Sequence, residues 1–216
     1  MAHLKRQKAP VRWPVSRKGT TFVVKPAFNP QQGIPLLIIL RDMLKICQNR
    51  KEAKRAIHEK KILVNGKEAT DDKNSLLLFD TLTIIPLKKS YRISFSENGK
   101  YKLEDIAEKD SAYKISKIID KKILKGKRTQ INLRDGKNFI SDAECKVGDS
   151  VKINMKNKGI EKCIPLKEKA KIIVVEGKHK GKIGIIERLE KEKKMLVGNF
   201  DNKQINILIK QVMVTE

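Results

Sequence analysis

Asn49-Arg-Lys-Glu-Ala-Lys-Arg-Ala-Ile57, followed by Ile62-Leu-Val-Asn-Gly-Lys67, spells a capped helix and then a tight hairpin. Asn49 can accept a hydrogen bond from the first helical turn, and Glu52 three residues on can reach back, a variant of the capping box. The helix predicted from Arg50 to about Lys60 advances ~100° per residue. On that step Arg50, Lys51, Lys54, Arg55 and His58 share one arc of about 140°, while Ala53, Ala56 and Ile57 fall on the side outside it. The helix is therefore apolar toward a neighbour and basic outward. Asn65-Gly66 after β-branched residues predicts a type I′ turn, with Lys67 on the returning strand.

Immediately upstream, Pro35 suits a first helical position. Leu36 to Cys47 predicts a helix with Leu36, Leu40, Met43, Leu44 and Cys47 on one face. Further upstream, residues 1–41 contain no acidic side chain, and five of the seven prolines fall among them. Proline removes a backbone donor, so residues 1–34 are expected to be a basic, extended N-terminal arm that orders on a partner. Its cations are Lys5, Arg6, Lys8, Arg12, Arg17, Lys18 and Lys25, and Trp13 and Phe22 are interleaved as rings on which bases can stack.

Downstream, period-two alternation takes over. Tyr91 to Phe95, Lys100 to Ile106, Lys114 to Leu124, Thr129 to Leu133, Lys137 to Ile140, Val147 to Met155 and Ile160 to Leu166 predict strands, with turns at Asn98-Gly99, Gly126 and Asp135-Gly136. From Lys169 onward come five short apolar runs, with turns at Gly177 to Gly181, Glu190 to Lys194 and Asn199 to Asn202. Five strands in that span predict a small barrel. The fold class is α+β, mostly β, and multidomain. The expected boundaries are the arm at 1–34, a two-helix and hairpin domain at 35–90, a central β domain at 91–167 and a small β-barrel at 168–216.

The charge balance points to a partner. In 216 residues there are 49 Lys+Arg against 25 Asp+Glu, a formal net charge of +24. Such a charge opposes compaction, so it argues for a polyanion. The longest apolar run, Leu36 to Leu40, is too short to span a bilayer, and the first residues lack a signal-peptide core, so no membrane partner is expected. Aromatic residues make up 5%, too few for a large aromatic-lined pocket, and no small-molecule substrate or cofactor is expected. Cys47, Cys145 and Cys163 are odd in number and far apart, which fits neither a disulfide framework nor a zinc knuckle. Gly181-Lys182 looks like the end of a phosphate-binding loop, but Glu176 stands where its first glycine belongs and Ile183 where its Ser or Thr belongs. His3, His58 and His179 have no neighbouring ligand set, and no catalytic residues are expected.

Two segments resemble known RNA-binding modules. The Asn49–Ile57 helix with the Ile62–Lys67 hairpin resembles the "S-four" RNA-binding domain; the resemblance implies RNA contacts at Arg50, Lys51, Lys54 and Arg55, and at Asn65 and Lys67. Val174-Val-Glu-Gly-Lys-His-Lys-Gly-Lys-Ile-Gly-Ile-Ile186 resembles a KOW motif, which implies a Src-homology-three-like barrel with Lys178, His179, Lys180 and Lys182 at its RNA face. Its glycines would let backbone come close to a phosphate. The order of arm, two-helix domain, central β domain with Ile131-Asn-Leu-Arg-Asp-Gly-Lys-Asn138, and KOW segment resembles the small-subunit ribosomal S-four-e family of archaea and eukaryotes over essentially the whole chain. Phe28-Asn-Pro-Gln-Gln32 departs from that family's Gly-Pro-His run, and the short tail after the KOW segment resembles archaeal rather than extended eukaryotic members. The resemblance implies a structural constituent of the small ribosomal subunit that supports translation. Its partners would be small-subunit rRNA and neighbouring ribosomal proteins, and its place the cytoplasmic ribosome. The alternatives are an accessory protein of an RNA-modifying enzyme and a KOW-type transcription or translation factor.

Overall fold

The computed structural model describes residues 3–126, 128–141, 143–157, 159–190, 192–200 and 203–215. The turns expected at 190–194 and 199–202, and the two ends of the chain, therefore lie partly outside the described residues. The chain divides into two compact units, Met1–Phe95 with Lys100–Ala112 and Ser96–Gly99 with Tyr113–Glu216. The architecture is mostly β with few helices, and among the described residues every strand pair is antiparallel.

The first unit begins with the short strands β1 (Leu4–Lys5) and β2 (Phe22–Val23), which pair with each other, and β3 (Ile34–Pro35), which later pairs with β6 (Ser75–Leu76). This corrects the expectation of an arm that orders only on a partner. Trp13 is 2% exposed and donates from Nε1 to the Gly33 carbonyl at 3.0 Å, and Val23 is buried. The arm's large apolar groups therefore have a core to enter within the chain itself.

Helix α1 (Leu36–Ile38) runs on into a π-type turn over Ile39–Met43, closed by Leu44 N–H donating to the Ile39 carbonyl at 2.9 Å. It is shorter than expected, because Lys45 adopts a left-handed φ of 54° and the Ile46 amide turns back to the Leu40 carbonyl. Its apolar residues also do not occupy one face: Leu36, Leu37, Ile38, Ile39 and Leu40 are all buried, since the segment runs through the middle of the core. Helix α2 (Arg50–His58) starts as predicted. Asn49 Oδ1 accepts from Glu52 N–H at 3.0 Å, while Glu52 reaches one residue further back, to Gln48 N–H at 2.7 Å.

After α2 come β4 (Ile62–Val64) and β5 (Lys67–Glu68), with Asn65 and Gly66 both at positive φ, 51° and 73°, as a type I′ turn requires. Together with β7 (Thr81–Ile84), β8 (Lys89–Phe95) and β9 (Tyr101–Ile106) they form one sheet in the order β5-β4-β7-β8-β9. A new β domain was expected at Tyr91. Pro86 instead sits in a 3-10 turn over Ile85–Leu87, and Lys88 at a φ of 50° sends the chain back antiparallel. The first sheet therefore continues to Ile106.

In the second unit, β10 (Tyr113–Ile123), β11 (Thr129–Leu133), β12 (Asn138–Ile140), β13 (Ser150–Asn154) and β14 (Gly159–Ile164) form a sheet in the order β12-β11-β10-β13-β14. Ile118, Ile131, Leu133, Val151 and Ile153 make its core, joined by Cys145. A second sheet, β18-β17-β16-β15-β19, consists of β15 (Lys171–Val174), β16 (Ile183–Glu190), β17 (Met195–Phe200), β18 (Lys203–Leu208) and β19 (Val212–Val214). It closes on Ile172, Val174, Ile186, Leu196, Phe200 and Val214. Polar bonds tie the two sheets: Val214 N–H donates to Ser150 Oγ at 3.0 Å, and Lys117 Nζ donates to the carbonyls of Val212, at 2.6 Å, and Ile209. The three cysteines are unbridged. Among the described residues no helix is long and apolar enough to cross a membrane.

Candidate nucleic-acid interface

On α2 the two faces separate as the 3.6-residue period requires. Ala53 and Ile57 are buried, and Arg50, Lys51, Lys54, Arg55 and His58 are exposed. Two of these cations are already engaged. Arg50 donates from Nε to Asp72 Oδ2 at 2.6 Å and from Nη2 to Oδ1 at 3.2 Å, and Arg55 Nε pairs with Glu59 at 2.8 Å. Burial pushes the Asp72 carboxyl up, but Arg50 and nearby groups more than offset this and hold it below the ordinary carboxylate range. The same hydrogen bond raises the Arg50 guanidinium, so this cation does not titrate near neutrality. Lys51 and Lys54 remain as exposed ammonium groups on the outer face, and Lys67 is exposed beside the hairpin turn.

Asn65 is a correction. Its side chain is buried at 8% exposure; Nδ2 donates to Asp80 Oδ1 at 2.8 Å and Oδ1 accepts from Thr81 N–H at 3.0 Å. Both polar ends are used to brace the turn on β7, so Asn65 presents nothing to a nucleic acid. Trp13 is corrected likewise, since a ring that is 2% exposed offers no face on which a base can stack.

Within the arm, Lys5, Lys8, Arg17, Lys18 and Lys25 are exposed. Arg6 has a structural task instead. It donates to the carbonyls of Thr20 at 2.7 Å and Ser16 at 2.8 Å and to the Thr20 hydroxyl at 2.7 Å, folding residues 16–20 around its guanidinium. Arg12 is half-buried and donates to Gln31 Oε1 at 3.3 Å. Close by, burial pushes the Tyr101 hydroxyl up to about 12, and this hydroxyl donates to the Gln32 carbonyl at 2.9 Å.

In the second unit the loop between β15 and β16 carries Lys178, exposed, and His179, Lys180 and Lys182, half-buried. Its glycines have structural reasons of their own. Gly177 has a φ of 91°, and a Cβ there would press on the Gln211 amide at 3.2 Å. Gly181 is buried at a φ of 90°; a Cβ would collide with the Ser96 carbonyl and come within 3.1 Å of Gly99 Cα. The left-handed backbone thus accounts for Gly177, and backbone packing for Gly181. The loop is anchored at its start by Glu176, which pairs with Arg134, and Arg134 also donates to the Lys210 carbonyl at 3.2 Å. Among the described residues no three His, Cys, Asp or Glu side chains are grouped as a metal site requires.

Lys114 and Lys117, two cations of the strand predicted from Lys114 to Leu124, prove to be internal. Lys114 Nζ lies 2.7 Å from Asp135 Oδ2, with the two side chains 2% and 5% exposed. Asp135 Oδ2 accepts no well-angled hydrogen bond, so the contact is chiefly a charge pair. Lys117, 5% exposed, is pushed down to about 8 by burial, with Arg134 adding to the effect. In the sequence, polar Lys114 and Ser116 alternate with Tyr113 and Ile115, a pattern that reads as outward; only the pairing with Ile153 and Val151 in the folded sheet turns Lys114 inward.

Residues 87–160 match the model described as ribosomal family S4e, and residues 2–28 match the RS4NT (NUC023) domain. Small ribosomal subunit protein eS4 of Methanocella arvoryzae is 37% identical over 191 residues, covering 87% of this chain and 81% of that protein. The chain belongs to the eS4 family. Small ribosomal subunit protein eS4 of Methanothermobacter thermautotrophicus is also 37% identical, over 190 residues that cover 87% of this chain and 78% of that one. The crystal structure of 30S ribosomal protein S4e from Thermoplasma acidophilum superposes with a TM-score of 0.71 at 26% identity, covering 85% of this chain and 94% of its own. The mostly β fold described above matches that structure.

Proposed function

We propose that the chain is a non-enzymatic, structural constituent of the small ribosomal subunit in the cytoplasm, holding rRNA beside neighbouring ribosomal proteins. Family membership supports the setting. The observation that carries the RNA contact is the split of α2, with Lys51 and Lys54 outward and Ala53 and Ile57 buried. In this reading α2 and the β4–β5 hairpin act as the S-four-like module. The sheet from Lys171 to Val214 acts as the KOW module, presenting Lys178 and its neighbours. The exposed arm cations Lys5, Lys8, Arg17, Lys18 and Lys25 add phosphate contacts. Phosphate neutralisation then supplies most of the affinity, and RNA shape supplies the selectivity.

The test is twofold. The tagged chain is followed through salt-washed small subunits, where it is expected at one copy per subunit. Its binding to transcribed small-subunit rRNA is then measured across a salt series, where affinity should fall steeply. Loss of the chain from washed subunits, or a salt-independent affinity, overturns the proposal.

A further inference from the structure

The first unit contains a cleft of about 660 Å³. Its lining joins the start of the arm to the helices: His3 and Phe22 from the β1–β2 ribbon, Leu37 and Arg41 from the first helical segment, Arg50 from α2, and Lys73 from the loop before β6. Phe22 is 53% exposed, and the His3 ring, also exposed, stands against it with centroids 5.5 Å apart at a tilt of 48°. A single exposed phenylalanine is ordinary. Here it opens into a cleft whose other polar lining is cationic. Arg41 gives Nε and Nη2 to Asp42, at 3.1 and 2.9 Å, which uses two of the five donors of a guanidinium. Arg50 gives the same two atoms to Asp72. Both guanidiniums are thus held in place by a carboxylate while keeping donors for a second anion. Lys73 is exposed, and its carbonyl accepts from Ala27 N–H at 2.9 Å, which fixes its loop against the arm.

An aromatic face beside pre-oriented cations matches a base attached to its phosphate. A base inside a duplex cannot reach such a ring, whereas an unpaired one can. We propose that this cleft takes one unpaired RNA nucleotide, its base on Phe22 and its phosphate on Arg41 and Lys73. This rests on the RNA-binding reading above and adds to it the class of RNA and a site.

The experiment uses the full chain and fluorescence anisotropy with two probes, a single-stranded oligouridylate and an RNA duplex of equal length. Phe22→Leu keeps an apolar residue at an exposed position, and thermal unfolding checks that it folds. It should weaken single-strand binding roughly 5- to 100-fold while duplex binding stays within about twofold, since only an unpaired base stacks. Lys73→Gln should lower the salt slope for the single strand by about one unit. The proposal is overturned if both variants bind the single strand like the parent. Equal weakening of duplex and single strand by Phe22→Leu overturns it too, because the ring would then read no base. Competition by an acidic peptide as effective as the oligonucleotide at matched charge makes the cleft a peptide site and likewise overturns the proposal. A parent chain that binds neither probe refutes the RNA-binding reading itself, a result distinct from loss confined to the variants.

Discussion

Helix α2 and strand β10 carry cations of the same kind to opposite destinations. On α2, Lys51 and Lys54 face water, and Arg50 reaches a buried carboxylate with a side chain that stays 46% exposed. On β10, Lys114 and Lys117 are inside the second unit, one against Asp135 and the other against two backbone carbonyls. The helix can display a charge because its apolar stripe is narrow and the opposite face is free. A strand has one side chain per face at every second position, so Lys114 goes inward with Ser116 and Ile118, while Lys117, on the opposite face, is covered by the second sheet; each must be neutralised or hydrogen-bonded there. A net charge of +24 is therefore not a count of RNA contacts; part of it holds the second unit together.

The sharpest way to break this contrast is to remove one member of the buried pair. Lys114→Met removes the cation beside Asp135 Oδ2, leaving that carboxylate with the Lys137 N–H bond to its other oxygen, and should cost about 3–5 kcal/mol in urea unfolding. The double variant Lys114→Met with Asp135→Leu should recover much of that loss, because an apolar pair needs no compensation. A single-variant cost under about 1 kcal/mol would place Lys114 with the surface lysines.

The next effect is carried by pH. Lys117 is lowered to about 8 from 10.5, so between those values the unfolded chain binds more protons than the folded one. Stability contributed at this site should then rise with pH through that window and level off above it. The difference between parent and Lys117→Met unfolding curves isolates this slope from other titrating groups. A flat difference from about pH 8 to 10.5 would mean that the amine is already solvated.

A smaller loss is expected at the boundary between the two cases. Asp72→Asn removes the charge that Arg50 pairs with, and should cost about 1.5–3 kcal/mol, the range for hydrogen bonds to charged groups. Since the Asp72 carboxyl is held below its ordinary value, its contribution is present at neutral pH and disappears as pH falls through the folded value. Acid titration of stability in the parent and in Asp72→Asn should converge at the acid end.

Least affected should be the outer face of α2. Lys51→Gln and Lys54→Gln should each change stability by less than ~0.5 kcal/mol. Each should also lower the salt slope of rRNA binding by about one unit. Stability losses of the size expected for Lys114 would erase the distinction between displayed and structural cations.

Much of this protein was legible in its sequence, where the signals are local. The Asn49 cap, the period of α2, the Asn65-Gly66 turn and most strands of the second unit depend on backbone geometry within a few residues, and they form where the spacing places them. Likewise the outward set Lys51, Lys54 and Lys178 follows from amphipathic pattern and turn position. What depended on long-range packing came only from the tertiary structure. Trp13 finds its hydrogen-bond partner 20 residues away, the first sheet runs on past Pro86, and Asn65 is claimed by Asp80 15 residues later. Lys117 donates to a carbonyl 95 residues downstream, and Gly181 owes its small size to the turn at Ser96–Gly99. No periodicity encodes such partners. They are set by which buried polar groups and which close backbone approaches the assembled core leaves to be satisfied.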